Sequence, residues 1–218
     1  MNAGELLQHF RYEVDDLEDP YLWSDDEVFE YMTDAERMFC RLTEGIEEAR
    51  LPEICQLSVV PGTDWYAVSP LILKLRWATR GDNGRPVTVS NPEKMMLDGI
   101  SFGSGAGGPV RALVAGMSKG VLRAWPMPNE TVTINLGVFR LPLTPLTSEV
   151  SAFEIDEQHH IHLLSWMKHR AYNKHDADTY DPKQAEKYET VFRNYCFKAL
   201  AEQERARRQV GTVIYGGI

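Results

Sequence analysis

Cysteine is scarce in this sequence, and the cysteines that occur form no recognisable pair. Cys40, Cys55 and Cys196 lie far apart, and no CxxC spacing is present. This arrangement argues against a disulfide scaffold and against a zinc site built from cysteines. It is typical of a protein that works in a reducing compartment.

Long apolar runs and targeting signals are also missing. No stretch approaches the roughly 18 apolar residues that a membrane-spanning helix needs. Residues 1–5 contain neither a basic region nor an apolar one, so we expect no secretory signal. The chain has 218 residues, of which 43% are hydrophobic and 25% are charged. This is the composition of an ordinary globular protein of one or two domains.

Basic residues are also fewer than acidic ones. The chain carries 23 Lys and Arg against 32 Asp and Glu, and its net charge is −9. Residues 1–50 hold 15 acids and 4 bases, so the acidic excess lies in the first quarter. We therefore expect no broad basic surface that would bind nucleic acid. The acidic segment is either a solvated face or a surface that repels a polyanion or meets a basic partner.

Four segments have the spacing of apolar residues that predicts amphipathic helices. The second has the clearest start, because Ser24 is a predicted N-cap and Glu27 completes a capping box. Asp181 is the predicted cap of the fourth, with Gln184 completing a second capping box. The first, third and fourth predicted helices cover residues 3–15, 157–173 and 182–208. The second begins at residue 25 and ends between residues 45 and 50.

Between the helical parts, Pro and Gly separate short stretches rich in Val, Ile, Leu, Trp and Tyr. This pattern predicts a β-rich section over about residues 51–150. A single helical turn is predicted at 92–98, and a hairpin-type turn at 81–84. The predicted strands are 54–60, 65–68, 71–78, 87–89, 120–125 and 131–139.

The end of the last predicted helix differs from its beginning. Its apolar seam stops near Leu200, and mostly charged residues follow, so we expect this end to project from its own chain. Its arginines also suit the negative end of the helix dipole. Residues 210–218 are β-prone and bounded by glycine. They are either a frayed terminus or a strand offered to another chain.

Two motifs indicate enzyme chemistry, both weakly. Gly103–Gly108 matches G-x-G-x-x-G, but Pro109 follows at once and no βαβ unit frames the loop. The cluster His159–His162 offers metal ligands, but a closed site usually needs three or four that converge. With Leu163 and Met167 facing inward, several of these histidines are expected to face outward. We predict no catalytic residue, no metal and no cofactor.

Two segments taken together resemble the head-to-tail adaptor, or connector, proteins of tailed bacteriophages. One surrounds the start of the second helix and the other leads into the last helix, so that the resemblance covers mainly the helical parts. They read Tyr21-Leu22-Trp23-Ser24-Asp25-Asp26-Glu27 with Tyr31 and Asp34-Ala35-Glu36, and Leu164-Ser165-Trp166 with Arg170-Ala171-Tyr172 and Asp176–Asp181.

The resemblance implies a non-enzymatic protein of the virion neck. Such adaptors form a ring beneath the portal, commonly twelvefold, extend the DNA channel, and present a docking surface for the tail, nozzle or stopper. The implied partners are the portal, the tail-side component, further copies of the chain, and genomic DNA that passes without specific binding. No membrane is implied, and assembly would occur in the host cytoplasm. An acidic N-terminal quarter suits a channel through which DNA slides.

The expected fold is α+β, with a four-helix bundle core interrupted by a sandwich- or barrel-like β insertion and followed by an extended tail. The expected domains are 1–50 and 151–209 for the bundle, 51–150 for the insertion, and 210–218 for the arm. In the resembling family, C-terminal segments reach the portal, and here the matching residues are Arg205, Arg207, Arg208, Val213, Ile214 and Tyr215.

Two further sets of residues follow from this interpretation. The candidate acidic channel or rim consists of Glu13, Asp15, Asp16, Glu18 and Asp19. The cap and motif residues are Trp23, Ser24, Glu27, Trp166, Arg170, Tyr172, Asp178 and Asp181. Two alternatives stay open: an enzyme that uses His159–His162 or Gly103–Gly108 with a metal or nucleotide, and a DNA-binding regulator that uses the arginines at 205–208.

Overall fold

The protein folds into two compact units that divide the chain unevenly. The structure is a computed structural model, and it describes residues 1–102, 107–176 and 178–208. Of residue 208, only the backbone is described. One unit, here called the helical unit, combines Met1–Gly45 with the chain from Pro142 onward. The other, called the β unit, is Ile46–Leu141.

Four α-helices and one 3₁₀ segment make up the helical unit. The helices are α1 (Ala3–Val14), α2 (Asp25–Leu42), α5 (Leu163–Tyr172) and α6 (Pro182–Arg208), and the 3₁₀ segment is Glu157–His162. The β unit contains two short helices, α3 (Pro52–Cys55) and α4 (Pro92–Leu97). Its strands are β1 (Ile46–Glu48), β2 (Gln56–Val59), β3 (Trp65–Ala67), β4 (Ile72–Arg80), β5 (Pro86–Ser90), β6 (Ala112–Val114), β7 (Val121–Trp125) and β8 (Val132–Arg140).

Local sequence signals set the starts of the first two helices. Asn2 caps α1 and exchanges hydrogen bonds with Glu5, which completes a capping box. Ser24 caps α2 in the same way with Glu27. At the C-terminus of α1, Asp15 adopts a left-handed conformation with φ of 57°, and its N–H donates to the Arg11 carbonyl.

The predicted four-helix bundle core is wrong. The described residues form a mixed α+β protein with six α-helices and an eight-stranded sheet. Within the helical unit, the ten-residue α5 is the shared packing partner of α1, α2 and α6. At about 15 Å, α5 covers less than half of the roughly 40 Å of α6, so the described helices lack the four long, mutually packed helices that a bundle core needs.

The reason for the short α5 lies in the segment before it. The helix predicted over 157–173 starts as the 3₁₀ segment Glu157–His162. The rings of His159 and His160 turn inward there, and both side chains are buried. The tighter 3₁₀ winding brings different side chains to the inner face than a continuous α-helix would.

The sandwich or barrel expected for the middle section is also wrong. The described strands form one curled sheet in the order β1-β8-β4-β5-β6-β7-β3, and β2 also pairs with β8. The order ends at β1 and β3 without closing. β5 and β6 are parallel, whereas the other pairs are antiparallel. The strand predictions at 65–68, 71–78, 120–125 and 131–139 are confirmed to within two residues.

A buried ion pair holds the turn that joins α1 to α2. Arg11 Nη1 lies 2.6 Å from Asp16 Oδ2, and both side chains are at least 90% buried. The other oxygen of Asp16 accepts a hydrogen bond from the Leu22 N–H at 2.8 Å. Arg11 Nη2 donates to the Trp23 carbonyl at 3.1 Å and to Asp25 at 2.5 Å. One pair of charges therefore satisfies the backbone of the turn and fixes the approach to α2.

We predict that Asp16→Ala will lower the free energy of unfolding by about 3–5 kcal/mol, because it leaves the buried Arg11 guanidinium without its one buried carboxylate partner. Urea denaturation followed by circular dichroism measures this change. The matched control is Glu18→Ala, an exposed acid in the same turn, for which a change within about 0.5 kcal/mol is expected. Equal small effects of both variants would contradict a structural role for the pair.

Candidate interaction surfaces

The two motif segments, far apart in sequence, meet around the carboxylate of Asp34 on α2. Asp34 Oδ2 accepts a hydrogen bond from Trp166 Nε1 at 2.8 Å and an ion-paired one from Arg170 Nη1 at 2.6 Å. The Arg170 guanidinium also lies over the Tyr31 ring, 5.7 Å from its centroid. A single carboxylate therefore joins α2 to α5.

Further contacts extend this junction toward the beginning of α2. The buried Trp23 ring packs edge-on against Tyr172, with 6.2 Å between ring centroids, and against Phe10 at 5.8 Å. Glu27 forms a 2.7 Å ion pair with Lys174. The hydrogen bond from Lys174 lowers the pKa of Glu27, and the same bond raises the pKa of Lys174. The motif residues thus build structure inside the helical unit.

The start of α6 is capped, but only by half of the expected capping box. Asp181 Oδ1 accepts from the N–H groups of Lys183 at 3.0 Å and Gln184 at 3.1 Å. Gln184 Oε1 is buried, and it has no hydrogen-bond partner among the described residues. The reciprocal bond to the cap is therefore missing. Asp178 lies in the preceding turn, where its N–H donates to Asp176.

The inner face of α6 follows the predicted seam. Phe192 is fully buried against Trp166, with 5.2 Å between the ring centroids. Tyr188 stacks on Tyr172 at 5.9 Å. Cys196 lies on the same face, and its burial raises the pKa of the thiol to about 12, which makes it unreactive at neutral pH.

The outer face of α6 leaves apolar side chains in solvent. Phe197 is 74% exposed and Val191 is 48% exposed. Lysines 183, 187 and 198 lie on the same exposed face. An exposed apolar centre flanked by charged residues is a feature of protein interaction surfaces.

The expectation that the end of α6 has nothing to contact in its own chain is wrong at Arg207. Its guanidinium forms a 2.6 Å ion pair with Glu44, which follows α2. Arg205 is exposed, with the acids Glu202 and Glu204 nearby. The side chain of Arg208 and residues Val213, Ile214 and Tyr215 lie outside the described residues. The mixed charges here do not form the basic patch that a DNA-binding regulator would need.

Four of the five candidate rim residues lie in the acidic turn, and Glu13 lies at the end of α1. Asp16 is buried with Arg11 and cannot line a channel. Glu13 is exposed, and its carboxylate forms an ion pair with Lys168 of α5. Asp15, Glu18 and Asp19 are exposed. The surface of the turn therefore presents three carboxylates from the predicted set.

The histidine cluster is mostly structural, contrary to the expectation that several of its members face outward. His159 Nδ1 is 2.7 Å from the Tyr195 hydroxyl, and its ring packs on Phe39. The two nitrogens of His160 lie 3.1 Å and 3.0 Å from the carbonyls of Met1 and Ile155. His162 is exposed, with its ring stacked on Tyr195 at 3.7 Å.

Neither enzyme motif gains support from the geometry. In the part of the chain that the structure describes, no group of three or more His, Cys, Asp or Glu residues could hold a metal ion. Of the glycine motif, residues 103–106 lie outside the described residues. No helix in the described ranges is long and apolar enough to cross a membrane.

Sequence reasoning missed one buried carboxylate that ties the two ends of the helical unit together. Glu36 is 1% exposed, and it accepts hydrogen bonds from the N–H groups of Glu154 at 2.6 Å and Ile155 at 3.3 Å. The sequence offered a hint, because Glu36 directly follows Ala35, a buried residue on the apolar face of α2. The position of an acid beside an apolar face does not, however, show which groups it will bond.

Buried charges thus order the helices of the helical unit, and the outer face of α6 leaves apolar side chains exposed. The family model described as SU10 adaptor protein matches residues 1–214. The chain belongs to this family of phage head-to-tail adaptors, which confirms the resemblance found in the motifs, and it is a phage structural protein. No curated protein sequence matches the chain significantly.

From the burial of His159 we can predict how the free energy of unfolding depends on pH. Burial lowers the pKa of His159 below its ordinary value of 6.5, and nearby Asp156 opposes this shift only in part. The unfolded chain therefore takes up more protons than the folded protein as the pH falls through about 6.5. Stability should be fully present above about pH 7.5 and should decrease as the pH falls below about 7.

We expect this decrease to be shallower in His159→Gln, which cannot titrate at this position. Urea unfolding at half-unit pH steps measures the slope for each protein. The control is His9→Gln, a change at an exposed histidine, which should keep the wild-type slope. An unchanged slope in His159→Gln would show that other groups cause the pH dependence.

Proposed function

We propose that this protein forms a homo-oligomeric ring beneath the portal in the virion neck, extends the DNA channel, and provides the docking surface for the tail, nozzle or stopper. The observation that carries the proposal is the match of the adaptor family over residues 1–214. The structure supports a role in assembly, because exposed apolar groups on α6 offer area for contacts between chains. Twelve subunits is the count that the family resemblance favours.

The end of α6 and the residues after it are the proposed portal contact. The ion pair between Arg207 and Glu44 holds this end of the helix in a defined direction. Arg205 is exposed and can pair with acidic groups of a partner. Residues 209–218 follow directly, and their β-branched sequence suits the addition of a strand to a partner's sheet.

The exposed carboxylates of the acidic turn are the proposed rim of the DNA channel. Asp15, Glu18 and Asp19 carry like charge to the DNA backbone, and like charge opposes adhesion as the DNA passes. Asp16 and Glu13 are not part of this proposal, since the first is buried and the second is ion-paired. The tail-side component and the place of assembly in the host cytoplasm follow from the family alone.

Electron microscopy of the protein mixed with its cognate portal tests the main proposal. We expect a second ring stacked on the portal for the full chain. Deletion of residues 209–218 should abolish the stacked ring, while circular dichroism shows an unchanged fold. Arg205→Glu should reduce portal binding at least tenfold in a pull-down, because it reverses a charge at the contact.

The control for Arg205→Glu is Arg85→Glu, the same charge change at an exposed position of the β unit. Portal binding by this control should match that of the wild type. A full chain that remains a single subunit beside intact portal rings would overturn the ring proposal. Stacked rings formed without residues 209–218 would remove the arm from the portal contact.

A separate measurement tests the acidic rim. Particles in which Asp15, Glu18 and Asp19 are all changed to Lys should assemble normally but eject DNA more slowly, because the DNA backbone then adheres to the rim. Single-particle fluorescence of dye-stained DNA gives the ejection rate. Particles with Glu53, Glu93 and Asp98 changed to Lys, three exposed acids of the β unit, carry the same total charge and should eject at the normal rate. Equal rates for both triple variants would exclude the rim.

A further inference from the structure

A polar cleft of about 730 Å³ lies beside the hairpin turn between β4 and β5. The charged side chains that line it are Arg80, Asp82, Arg85, Arg111 and Glu130. Three positive and two negative charges give it a net charge of +1, whereas that of the whole chain is −9. This cleft, called here the arginine cleft, therefore attracts anions, although the chain as a whole repels them.

The Arg80 guanidinium binds both acids of the cleft. The Arg80 side chain is only 9% exposed. Its Nε and Nη2 donate to the two carboxylate oxygens of Asp82 at 3.1 and 2.9 Å, and its Nη1 donates to Glu130 at 2.8 Å. These bonds use three of the five N–H groups of a guanidinium. Among the described residues, the other two N–H groups of Arg80 have no acceptor, so they remain available to a ligand.

The other two arginines of the cleft extend from backbone that hydrogen bonds hold in place. The Arg85 carbonyl accepts from the Arg80 N–H at 2.8 Å. The Arg111 N–H donates to the Trp125 carbonyl at 2.9 Å, and the Arg111 carbonyl accepts from the Thr88 N–H at 2.8 Å. Both side chains therefore enter the cleft from defined positions on the sheet.

The guanidiniums of Arg85 and Arg111 are unpaired within the described ranges. Both side chains are exposed, and neither makes an ion pair, a hydrogen bond or a ring contact with a described residue. Asp82 and Glu130, the acids that line the same cleft, are bound to Arg80 instead. Each free guanidinium therefore keeps a planar set of donors that matches the two oxygens of a carboxylate.

The charge balance and the lining of the cleft favour a carboxylate on a polypeptide. One carboxylate would bring the net charge of the arginine cleft from +1 to zero, whereas a phosphate dianion would leave an excess negative charge near Asp82 and Glu130. A nucleic-acid strand brings a row of phosphates and needs a row of cations. The cleft is also much larger than one carboxylate, and the amides of Asn83 and Asn129 line it. These amides can form hydrogen bonds with a peptide backbone.

We propose that the arginine cleft binds one Asp or Glu side chain of another polypeptide, with its carboxylate held by the guanidiniums of Arg85 and Arg111. Charge-assisted hydrogen bonds would provide the affinity. The two acids of the cleft would disfavour partners that carry several negative charges close together. The site lies within the β unit, and it does not depend on ring formation or on the portal contact.

Saturation-transfer difference NMR with the full chain tests this proposal, because it detects the peptide and works for single subunits and rings alike. The probe is the peptide Ala-Gly-Glu-Gly-Ala with both termini blocked. We expect saturable binding with a Kd of about 1 mM or lower. The same peptide with glutamine in place of glutamate should show no saturable binding, because it lacks the carboxylate. Equal binding of both peptides would overturn the proposal.

Substitutions of the two free arginines locate the binding site. Arg85→Gln and Arg111→Gln should each weaken binding of the glutamate peptide about tenfold or more, because each removes charge-assisted hydrogen bonds. Both side chains are exposed, so the fold should survive, and circular dichroism checks this. The control is Arg50→Gln, a change at an exposed arginine of the β unit outside the cleft, which should keep full affinity. Equal losses in all three variants would indicate attraction to positive charge in general and would contradict a defined site.

Two further measurements test the charge balance and the class of ligand. Glu130→Gln raises the net charge of the cleft from +1 to +2, so it should tighten binding of the glutamate peptide about twofold or more. Unchanged or weaker binding would contradict the charge balance on which the choice of ligand rests. In competition at about pH 8, acetate should displace the peptide at a lower concentration than inorganic phosphate does. The reverse order would identify a phosphate site and overturn the proposal.

Discussion

Within the helical unit, the carboxylate of Asp34 joins segments that come from the two ends of the chain. It accepts hydrogen bonds from Trp166 and Arg170 on α5, while the whole β unit lies between these residues in sequence. Since α5 is the shared packing partner of the other helices, its attachment to α2 organises the unit. The motif that carries the family resemblance is therefore first of all a structural junction.

Buried polar groups have a similar role elsewhere in this unit. Arg11 and Asp16 satisfy the turn after α1, Glu36 holds the chain at 154–155, and His159 and His160 fix the approach to α5. Each of these residues is polar in the sequence and interior in the structure. Removing one partner would leave a buried group unsatisfied, which costs more than the bond itself contributes.

The two units differ in the apolar side chains that they leave accessible. The outer face of α6 presents Val191 and Phe197, which are 48% and 74% exposed. In the β unit, Ile72, Leu75 and Val89 pack against the core cluster and stay only half-buried. Burial of such groups against another chain would add to the stability of an assembly.

The sequence alone determined the features that depend on neighbours within one turn or one strand. The capping box of Ser24 and Glu27, the apolar seam of α6 and the alternation in the first half of β8 are local patterns, and the structure contains each of them. Tertiary structure decided the rest: the short α5 in place of a bundle helix, the single curled sheet, and the burial of Asp16 and His159. These features depend on contacts between residues distant in the chain, and periodicity does not encode which distant residues will meet.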